Sequence, residues 1–463
     1  LSDTNTNISY TYVKDELNPT SISGAFVYPV FVDNEGGIWV GTFYSGLNYV
    51  SPSAGRFKSY KHSRLKNSVH GNVIGRFCED NQHNIWIASD DGGLNKYNPS
   101  TGLFEHFSIG SGNFDDNNIH ALCIDGNNLW IGTYTGGVYV LDINTGKQRN
   151  YLTVKGNNNT LYDNSSYAIF KDSHANIWVT TVDGITLYQP KTDDFKRIKR
   201  IVEIIVDIDE DKDGNLWFST QGKGIYRFDT KLGGVWKNYS SPEVPDNIVN
   251  CIHIDKDNNI WAATNNGLVK CYHTKDTFEL IDIGEQTCVE GIVEDEGVLW
   301  ITTYKGLIKY VEGEQPTIFN TNDGLNSNQF LSNAAFMASD GQVYIGTVNG
   351  FNTFYPYQIK KNPVLPRTVI TGLEVMNKPI HIGDERLAKS LDAVDIVNLS
   401  YRDKMFSISF ASLSYCVPQK NNYAYQLEGF DKTWNYIENQ TRVTYTNLSP
   451  GKYKFRVKGT NND

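Results

Sequence analysis

The segment Asp80-Asn81-Gln82-His83-Asn84-Ile85-Trp86-Ile87-Ala88-Ser89 carries the pattern that decides the fold of this 463-residue chain. A mainly apolar run, residues 73–79, precedes the segment, and Gly93 follows it before another run that ends at Tyr97. The breaks between these runs consist of Asp, Asn and Gly, which bond to their own backbone or adopt positive φ. The segment therefore predicts short antiparallel strands that are joined by tight turns.

The same pattern occurs eight times, each time around an aromatic anchor that is followed three residues later by Thr or Ser and then by Gly. Subtracting adjacent anchor numbers gives separations of 39–48 residues. Four antiparallel strands in a repeat of this length are typical of β-propeller blades, whereas leucine-rich and helical repeats differ in length and periodicity. The anchors are Trp39, Trp86, Trp130, Trp178, Trp217, Trp261, Trp300 and Tyr344.

The composition excludes several other classes of protein. With 39% hydrophobic and 20% charged residues, the chain can bury a core and is not disordered. The net charge of −10 and the absence of long Lys/Arg runs argue against a nucleic-acid partner. The sequence has no run of about 18 apolar residues that would span a membrane.

The ends of the repeat array decide the number of blades. The eighth repeat has no outer strand after Tyr355, and residues 8–12 form an orphan alternating strand at the start of the chain. Pairing the two would close a ring and remove its free edges. We therefore expect an eight-bladed propeller over residues 1–362. Seven blades, with an odd unit attached to a missing upstream region, are the alternative.

A second domain follows the repeats. Pro363 and Pro366 mark a linker, and residues 363–463 contain further strands with clear alternation at residues 405–410 and 453–457. This pattern predicts an immunoglobulin- or fibronectin-like β-sandwich that is truncated at its C-terminus. The fold class is thus all-β, a β-propeller followed by a sandwich.

Both parts resemble a known family. The motif Gly37-Ile38-Trp39-Val40-Gly41-Thr42 and its relatives resemble the regulator-propeller repeat of bacterial two-component sensors. The tail is similar to the Y_Y_Y domain through Tyr423-x-Tyr425-x-Leu427, Thr444-Tyr445-Thr446-Asn447-Leu448 and Pro450-Gly451-x-Tyr453. The order of a propeller followed by a Y_Y_Y domain is characteristic of the periplasmic sensor region of a Bacteroidetes-type hybrid two-component system.

The resemblance implies a function and its partners. A protein of this kind senses an oligosaccharide and controls polysaccharide-utilisation genes, which implies a homodimer and a membrane helix beyond Asp463. Histidine kinase, receiver and DNA-binding domains would follow that helix, so this chain itself is expected to have no enzymatic activity and to contact no nucleic acid. Family members commonly have two propellers, usually of seven blades.

Most repeated polar residues are explained by the fold. We expect the tryptophans to pack between blades and the repeated Thr and turn Asp to bond to the backbone. The motif Asp209-x-Asp211-x-Asp213-Gly214 resembles the start of a calcium loop, but its twelfth position is Thr220 and no helices flank it. We therefore predict neither a metal ion nor a cofactor.

Nonrepeating residues provide the candidate ligand site. They lie between the second and third strands of the blades, on one rim beside the channel mouth, where tyrosines, carboxylates and lysines provide stacking and hydrogen bonding for a carbohydrate. A solvated rim is the alternative for any single residue. Arg64, Lys66 and His70 would add positive charge for an anionic sugar. The predicted ligand-binding residues are Tyr44, Asp90, Asp91, Tyr134, Lys223, Tyr304 and Lys305.

Two other functions are alternatives to a sensor. A propeller lyase or hydrolase needs paired carboxylates, or a histidine with a carboxylate, at the channel mouth. Asp90 and Asp91 are adjacent in the sequence and point in different directions, so we predict no catalytic residue. A passive protein-interaction propeller would have no reason to carry the Y_Y_Y tail.

Overall fold

A computed structural model describes residues 2–3, 8–9, 11–14, 21–63, 67–110, 114–231 and 234–461. The chain divides into two compact units, residues 55–359 and residues 1–54 together with 360–463. This division differs from the predicted boundaries of 1–362 and 363–463. The short helical segments are Phe114–Asn117, Thr321–Asp323, Pro356–Gln358, Leu391–Ala393 and Pro418–Lys420.

In the described part of the unit 55–359, seven four-stranded antiparallel sheets form the blades of a propeller. Blade 1 comprises Ile74–Glu79, Ile85–Ser89, Gly93–Asn98 and Leu103–Phe107. Blade 2 comprises Ile119–Asp125, Asn128–Thr133, Val138–Asp142 and Gln148–Tyr151. Blade 3 comprises Ser166–Lys171, Ile177–Thr181, Gly184–Gln189 and Asp194–Arg200. Blades 4 and 5 comprise Ile205–Glu210, Leu216–Thr220, Ile225–Asp229 and Val235–Tyr239; Val249–Ile254, Ile260–Thr264, Gly267–Cys271 and Phe278–Ile281. Blades 6 and 7 comprise Val289–Asp295, Val298–Thr303, Gly306–Tyr310 and Thr317–Phe319; Phe330–Met337, Val343–Thr347, Gly350–Phe354 and Lys58–Tyr60.

The first strand of each blade is its inner strand, and these strands close a ring. The inner strand of blade 7, Phe330–Met337, contacts both Val289–Asp295 of blade 6 and Ile74–Glu79 of blade 1. Each remaining inner strand likewise contacts the next one along the chain. The preference for eight blades is therefore wrong, and the seven-bladed alternative is the observed arrangement.

The outer strand of blade 7, Lys58–Tyr60, comes from the segment that precedes blade 1. It pairs antiparallel with Gly350–Phe354, so that Tyr60 faces Phe351 and Lys58 faces Thr353. The Tyr60 ring stacks on Phe351 with centroids 4.6 Å apart, and Phe57 is buried against Phe319 and Phe354. These contacts bury apolar surface and cover the open edge of Gly350–Phe354, which is the physical reason for closure at this strand.

The predicted closing strand at residues 8–12 is therefore wrong. Ile8–Ser9 instead pairs with Ser2–Asp3, and Tyr10 lies outside the described residues. The first repeat, deprived of its outer strand, is a three-stranded sheet of Val27–Val32, Ile38–Thr42 and Gly46–Val50 that belongs to the other unit. The apolar side chains of Val27–Val32 are exposed.

Gly350 shows why glycine follows the second strand of a blade. Its φ is +86°, and a Cβ at this position would lie 2.0 Å from the carbonyl oxygen of Tyr60 in the closing strand. A larger residue would be strained and would also push the closing strand away. The preceding Thr347 donates a hydrogen bond from Oγ1 to the Gly350 carbonyl at 2.9 Å, so the repeated threonine has the predicted structural role.

The repeated tryptophans and aspartates form a clasp inside the blades. In blade 5, Trp261 Nε1 donates to Asp255 Oδ2 at 2.9 Å, and Asp255 Oδ1 accepts the backbone N–H groups of Asp257 and Asn259. Burial alone would raise the pKa of Asp255, but hydrogen bonds from Asn259 and Trp261 hold it below its usual value. The same clasp joins Asp33 to Trp39, Asp80 to Trp86, Asp172 to Trp178 and Asp211 to Trp217.

The anchor residues of the seven blades are only 1–5% exposed, which confirms that they pack within the propeller. Blades 2 and 6 lack the clasp because their first turns are shorter and have no Asp six residues before the tryptophan. In these two blades Trp130 Nε1 and Trp300 Nε1 have no hydrogen-bond partner among the described residues.

The other unit contains the predicted sandwich. One sheet has the order Lys378–Pro379, Thr368–Val375, Met405–Ser412 and Arg442–Thr446, and the other has the order Asn435–Ile437, Tyr423–Glu428 and Lys454–Gly459. The core contains Phe410, Tyr423 and Tyr445, and the Tyr445 hydroxyl donates to Asp431 at 3.0 Å. Two of the tyrosines of the tail motif are therefore core residues of the sandwich.

Replacing Asp255 by Ala should destabilise the propeller by about 2–4 kcal/mol, because the buried indole N–H of Trp261 and two part-buried backbone N–H groups lose their acceptor together. Asp257→Ala in the same turn is the matched control, since the Asp257 side chain is exposed and should change stability by less than about 0.5 kcal/mol. Urea unfolding followed by tryptophan fluorescence measures both. Equal effects of the two substitutions would contradict the clasp.

A chain with Lys58→Cys and Thr353→Cys should form a disulfide between these positions under mild oxidation. The two residues are direct cross-strand partners, so their side chains lie on the same face of the sheet. Mass spectrometry of non-reduced peptides detects the link. The chains that carry only one of the two substitutions serve as controls. If the double variant shows no link between 58 and 353, the closing strand is assigned wrongly.

Candidate ligand-binding site

The inner strands of blades 1 to 6 share one irregularity. Each has a β-bulge at the second residue of the strand, where two residues face one on the neighbouring strand. A bulge re-aims the side chain of its extra residue, and bulges are frequent beside functional sites. The bulge residues are Gly75, His120, Tyr167, Val206, Asn250 and Glu290.

These bulges lie at the same end of the propeller as the turns between the second and third strands. In blade 2, for example, Ile119 at the start of the inner strand pairs with Thr133 at the end of the second strand. We call this end the channel mouth. It brings together the bulge residues and the rim residues predicted from the sequence, and both sets vary from blade to blade.

The channel beneath the mouth is crossed by Arg76 of blade 1. Its guanidinium donates to the carbonyl oxygens of Ser332 and Asn333 in blade 7 and, at 3.3 Å, to that of Val206 in blade 4. Blade 7 contributes to this floor through a larger bulge between Phe330 and Ala335. Burial lowers the pKa of Arg76, although part of its side chain still faces open space. A molecule that enters the mouth therefore meets a polar floor.

The first part of the mouth comes from blades 1 to 3. His120 packs against Tyr167 with ring centroids 4.6 Å apart and lies 6.1 Å from Tyr134. Its Nε2 atom has no hydrogen-bond partner among the described residues, and burial, together with Arg76, lowers its pKa to about 4. The imidazole is thus neutral at pH 7, and its buried nitrogen lies beside two aromatic rings.

Asp90 lies beside the bulge residue Gly75, where a Cβ would be 3.4 Å from Asp90 Oδ1. Burial raises the pKa of Asp90 to about 6, although the nearby Arg76 acts in the opposite direction. The carboxyl group therefore occupies the place at the mouth that a bulge side chain occupies in the other blades.

The second part of the mouth comes from blades 5 and 6. Both polar atoms of the Asn250 amide form hydrogen bonds within the protein. Its oxygen accepts from Gln221 at 3.0 Å, and its nitrogen donates to the Val289 carbonyl at 2.8 Å. Glu290 is 5% exposed, and burial raises the pKa of its carboxyl to about 6. Tyr304 is 52% exposed and close enough to Glu290 for that carboxylate to raise the pKa of its hydroxyl.

The seven predicted site residues differ in their placement. Asp90, Tyr134 and Tyr304 lie at the mouth, and Lys223 is exposed on the rim of blade 4. Lys305 lies on the rim of blade 6 and pairs with Glu285 at 3.0 Å.

Two of the predicted residues, Asp91 and Tyr44, are not among those that line the channel mouth. Asp91 is used by the fold, because it accepts the backbone N–H groups of Asn72 and Val73 and the Ser89 hydroxyl. Tyr44 is 93% exposed but belongs to the three-stranded sheet of the other unit, so the structure does not bring it into this ring.

Of the basic residues predicted for the rim, only His70 lies in the described part of the chain. Arg64 and Lys66 lie outside the described residues. His70 stacks on His106 with centroids 3.5 Å apart, and burial, together with His62, lowers its pKa.

The calcium-like motif does not gather its carboxylates at one point. Asp211 holds its own turn and Trp217, and Asp209 accepts the Ile254 N–H at 3.0 Å. Asp213 lies 3.5 Å from the Lys231 ammonium. Within the described ranges, no group of three or more His, Cys, Asp or Glu residues has a geometry that could hold a metal ion.

Sequence reasoning missed the bulge residues His120, Tyr167, Asn250 and Glu290. A signal was present, because each is polar and lies in an otherwise apolar inner strand at the position directly after the first buried residue. Comparing this one position across the repeats would have singled them out. Their orientation toward the mouth depends on the bulge, which the alternating pattern does not reveal.

Comparison with family models finds both predicted domain types. Two component regulator propeller repeats match residues 113–135, 201–222 and 243–266, and a Y_Y_Y domain matches residues 414–463. The propeller matches fall on the first strands of blades 2, 4 and 5. The resemblance of the repeats and of the tail to these domain types is therefore confirmed.

This chain is similar to parts of longer proteins. Histidine kinase P4 of Formosa agariphila is 26% identical over 410 residues, which cover 76% of this chain and 27% of the relative. The extracellular domain of a hybrid two-component system from B. thetaiotaomicron has a TM-score of 0.82 at 24% identity and covers 99% of this chain. A second such domain from that organism has a TM-score of 0.56 at 21% identity. This chain spans 62% of the length of each of these two solved chains.

No helix in the described part of the chain is long and apolar enough to cross a membrane. The two solved neighbours are themselves described as extracellular domains.

Replacing Glu290 by Gln should stabilise the propeller at about pH 8 by about 1–2 kcal/mol and change it little at about pH 4, where the carboxyl is mostly protonated in both the folded and the unfolded chain. Because burial raises the pKa of Glu290 to about 6, the folded state loses stability as the pH rises through that value, whereas Gln cannot ionise. Thermal unfolding at the two pH values measures the difference. A variant that is less stable than the parent at high pH would contradict the account of this carboxylate.

Proposed function

We propose that this chain, which combines regulator propeller repeats with a Y_Y_Y domain, is the extracytoplasmic ligand-sensing region of a hybrid two-component histidine kinase. Its ligand is an oligosaccharide that binds at the channel mouth. The observation that carries this proposal is that repeated and nonrepeating polar side chains have different roles. Repeated polar residues are used by the blades, whereas the nonrepeating ones gather at the mouth.

The chemistry of the mouth suits a sugar. Exposed faces of Tyr134 and Tyr304 provide stacking surfaces for the apolar faces of pyranose rings. The carboxylates of Asp90 and Glu290 provide hydrogen-bond acceptors for the hydroxyl groups of a sugar. A few fixed polar groups between aromatic faces are the usual composition of a carbohydrate site.

The partners of the chain follow from this role. We infer a periplasmic location, a membrane helix beyond Asp463 and a homodimer whose packing differs between the free and the bound state. A ligand can shift such an equilibrium only through different affinities for the two arrangements. The Y_Y_Y sandwich would transmit the difference to a kinase that controls polysaccharide-utilisation genes, while this chain itself performs no catalysis.

One observation favours a second candidate, a lyase or hydrolase that acts at the mouth. Asp90 and Glu290 both lie there, and burial raises the pKa of each carboxyl to about 6. A glycosidase, however, needs two carboxyl groups with pKa values that differ, one acid and one base. These two shift in the same direction and lie on separate blades, so we favour binding without turnover.

Calorimetry of the whole chain against oligosaccharides of plant, host and microbial glycans tests the proposal. Binding of one class in the micromolar range is expected, and the double variant with Tyr134→Ala and Tyr304→Ala should weaken it about tenfold or more. Tyr357→Ala, another exposed tyrosine of the same unit, is the control and should leave the affinity unchanged.

Product analysis of the same samples separates the two candidates. Release of shorter sugars would replace the sensor proposal by an enzyme. Unchanged affinity in the double variant, or no binding across the panel, would overturn the assignment of the mouth.

A further inference from the structure

Glu290 is an unusual residue for the place that it occupies. It is 5% exposed, and its carboxyl lies at the start of the blade 6 inner strand, where the β-bulge turns the side chain toward the channel mouth. Carboxylates are almost never buried this far without a charged partner, because the loss of hydration costs several kcal/mol. The question is what compensates the charge.

The protein provides little compensation. The one hydrogen bond that Glu290 receives among the described residues comes from the Cys288 thiol at 3.0 Å. A thiol is a weak donor with a single proton, and Asn265 Oδ1 competes for that proton at 2.9 Å. Glu290 is therefore left with acceptor capacity that no described group of the protein satisfies.

Two basic groups at this end of the propeller are used elsewhere. Lys305, on the rim of the same blade, pairs with Glu285 at 3.0 Å. Arg76, at the floor, donates to backbone carbonyls of blades 4 and 7. No described Lys, Arg or His residue forms an ion pair with Glu290, so a cation from outside is the missing partner.

The surroundings fit a particular kind of cation. Tyr304 lies across from the start of the strand that carries Glu290, since its backbone N–H donates to the Cys288 carbonyl at 3.3 Å. Its side chain is half exposed and can therefore contact a ligand. An ammonium group gains from both neighbours, through charge-assisted hydrogen bonds to the carboxylate and through attraction to the aromatic face. The amide of Asn250 is already engaged, so the site offers acceptors rather than donors.

We propose that Glu290, with Tyr304 beside it, binds a primary ammonium group of the ligand. The ligand class is an oligosaccharide that contains an amino sugar without its acetyl group. This inference rests on the proposed function, because it places one sugar of the oligosaccharide in the mouth and specifies its charge. A neutral N-acetyl group offers one N–H donor and no charge, and so fits the carboxylate less well.

The test compares tetramers of glucosamine and of N-acetylglucosamine by calorimetry with the whole chain at neutral pH. We expect the amine form to bind about tenfold or more tightly than the acetylated form, and less tightly as salt is added. Glu290→Gln should abolish this preference. Glu285→Gln is the matched control, since it removes a rim carboxylate of the same blade that already has a lysine partner.

Each other outcome overturns either the ammonium site or the class of ligand that we assign to it. Equal affinity for the two tetramers, or an amine preference that survives Glu290→Gln, excludes Glu290 as its basis. If the two bind equally and lose affinity in the double variant with Tyr134→Ala and Tyr304→Ala, the mouth still binds sugars and only the ammonium site falls. If neither tetramer binds, the ammonium site falls, and the proposed function falls with it when the remaining panel is also silent. Diaminopentane that binds as tightly as the glucosamine tetramer would overturn the amino-sugar class.

Discussion

The backbone pairing of Lys58–Tyr60 with Gly350–Phe354 is the interaction on which the rest of the propeller depends. A blade buries its two faces only against its neighbours, so an open array would leave apolar faces and sheet edges in water. Pairing a strand from before blade 1 with blade 7 ties the start of the ring to its end. Gly350 permits the close approach that this pairing needs. Closure also fixes the inner strands around a common channel, which places six bulges at one mouth.

The blades separate the residues that hold the fold from those that are free for recognition. Asp255 and Trp261 illustrate the first group, since both are buried and their hydrogen bond lies within one blade. Glu290 and His120 illustrate the second, because each has a buried polar atom that the described protein groups satisfy poorly or not at all. Groups of this kind reduce stability, and their concentration at a concave site is typical of functional positions.

The repeated anchors were sufficient to predict the blades, the structural roles of the repeated residues and the rim, because these features depend on contacts within about 40–50 residues of chain. Tyr134 and Tyr304 were placed on the rim in this way, and their binding of a ligand stays a prediction. The blade count was not, since the period does not say which sheet receives the strand at Lys58–Tyr60, and its partner lies far away in the sequence. Tyr44 was misplaced for the same reason. The bulges at His120 and Glu290 escaped notice because one extra residue leaves the apolar pattern of a buried strand almost unchanged.

The most direct test of the account is amide hydrogen exchange of the whole chain, measured by mass spectrometry with and without an oligosaccharide that binds it. The account predicts slower exchange at the starts of the inner strands Ile119–Asp125, Ser166–Lys171 and Val289–Asp295, and little change in the outer strands. Protection confined to the outer strands, or to the three-stranded sheet at Val27–Val50, would contradict the claim that the channel mouth is the sensing site.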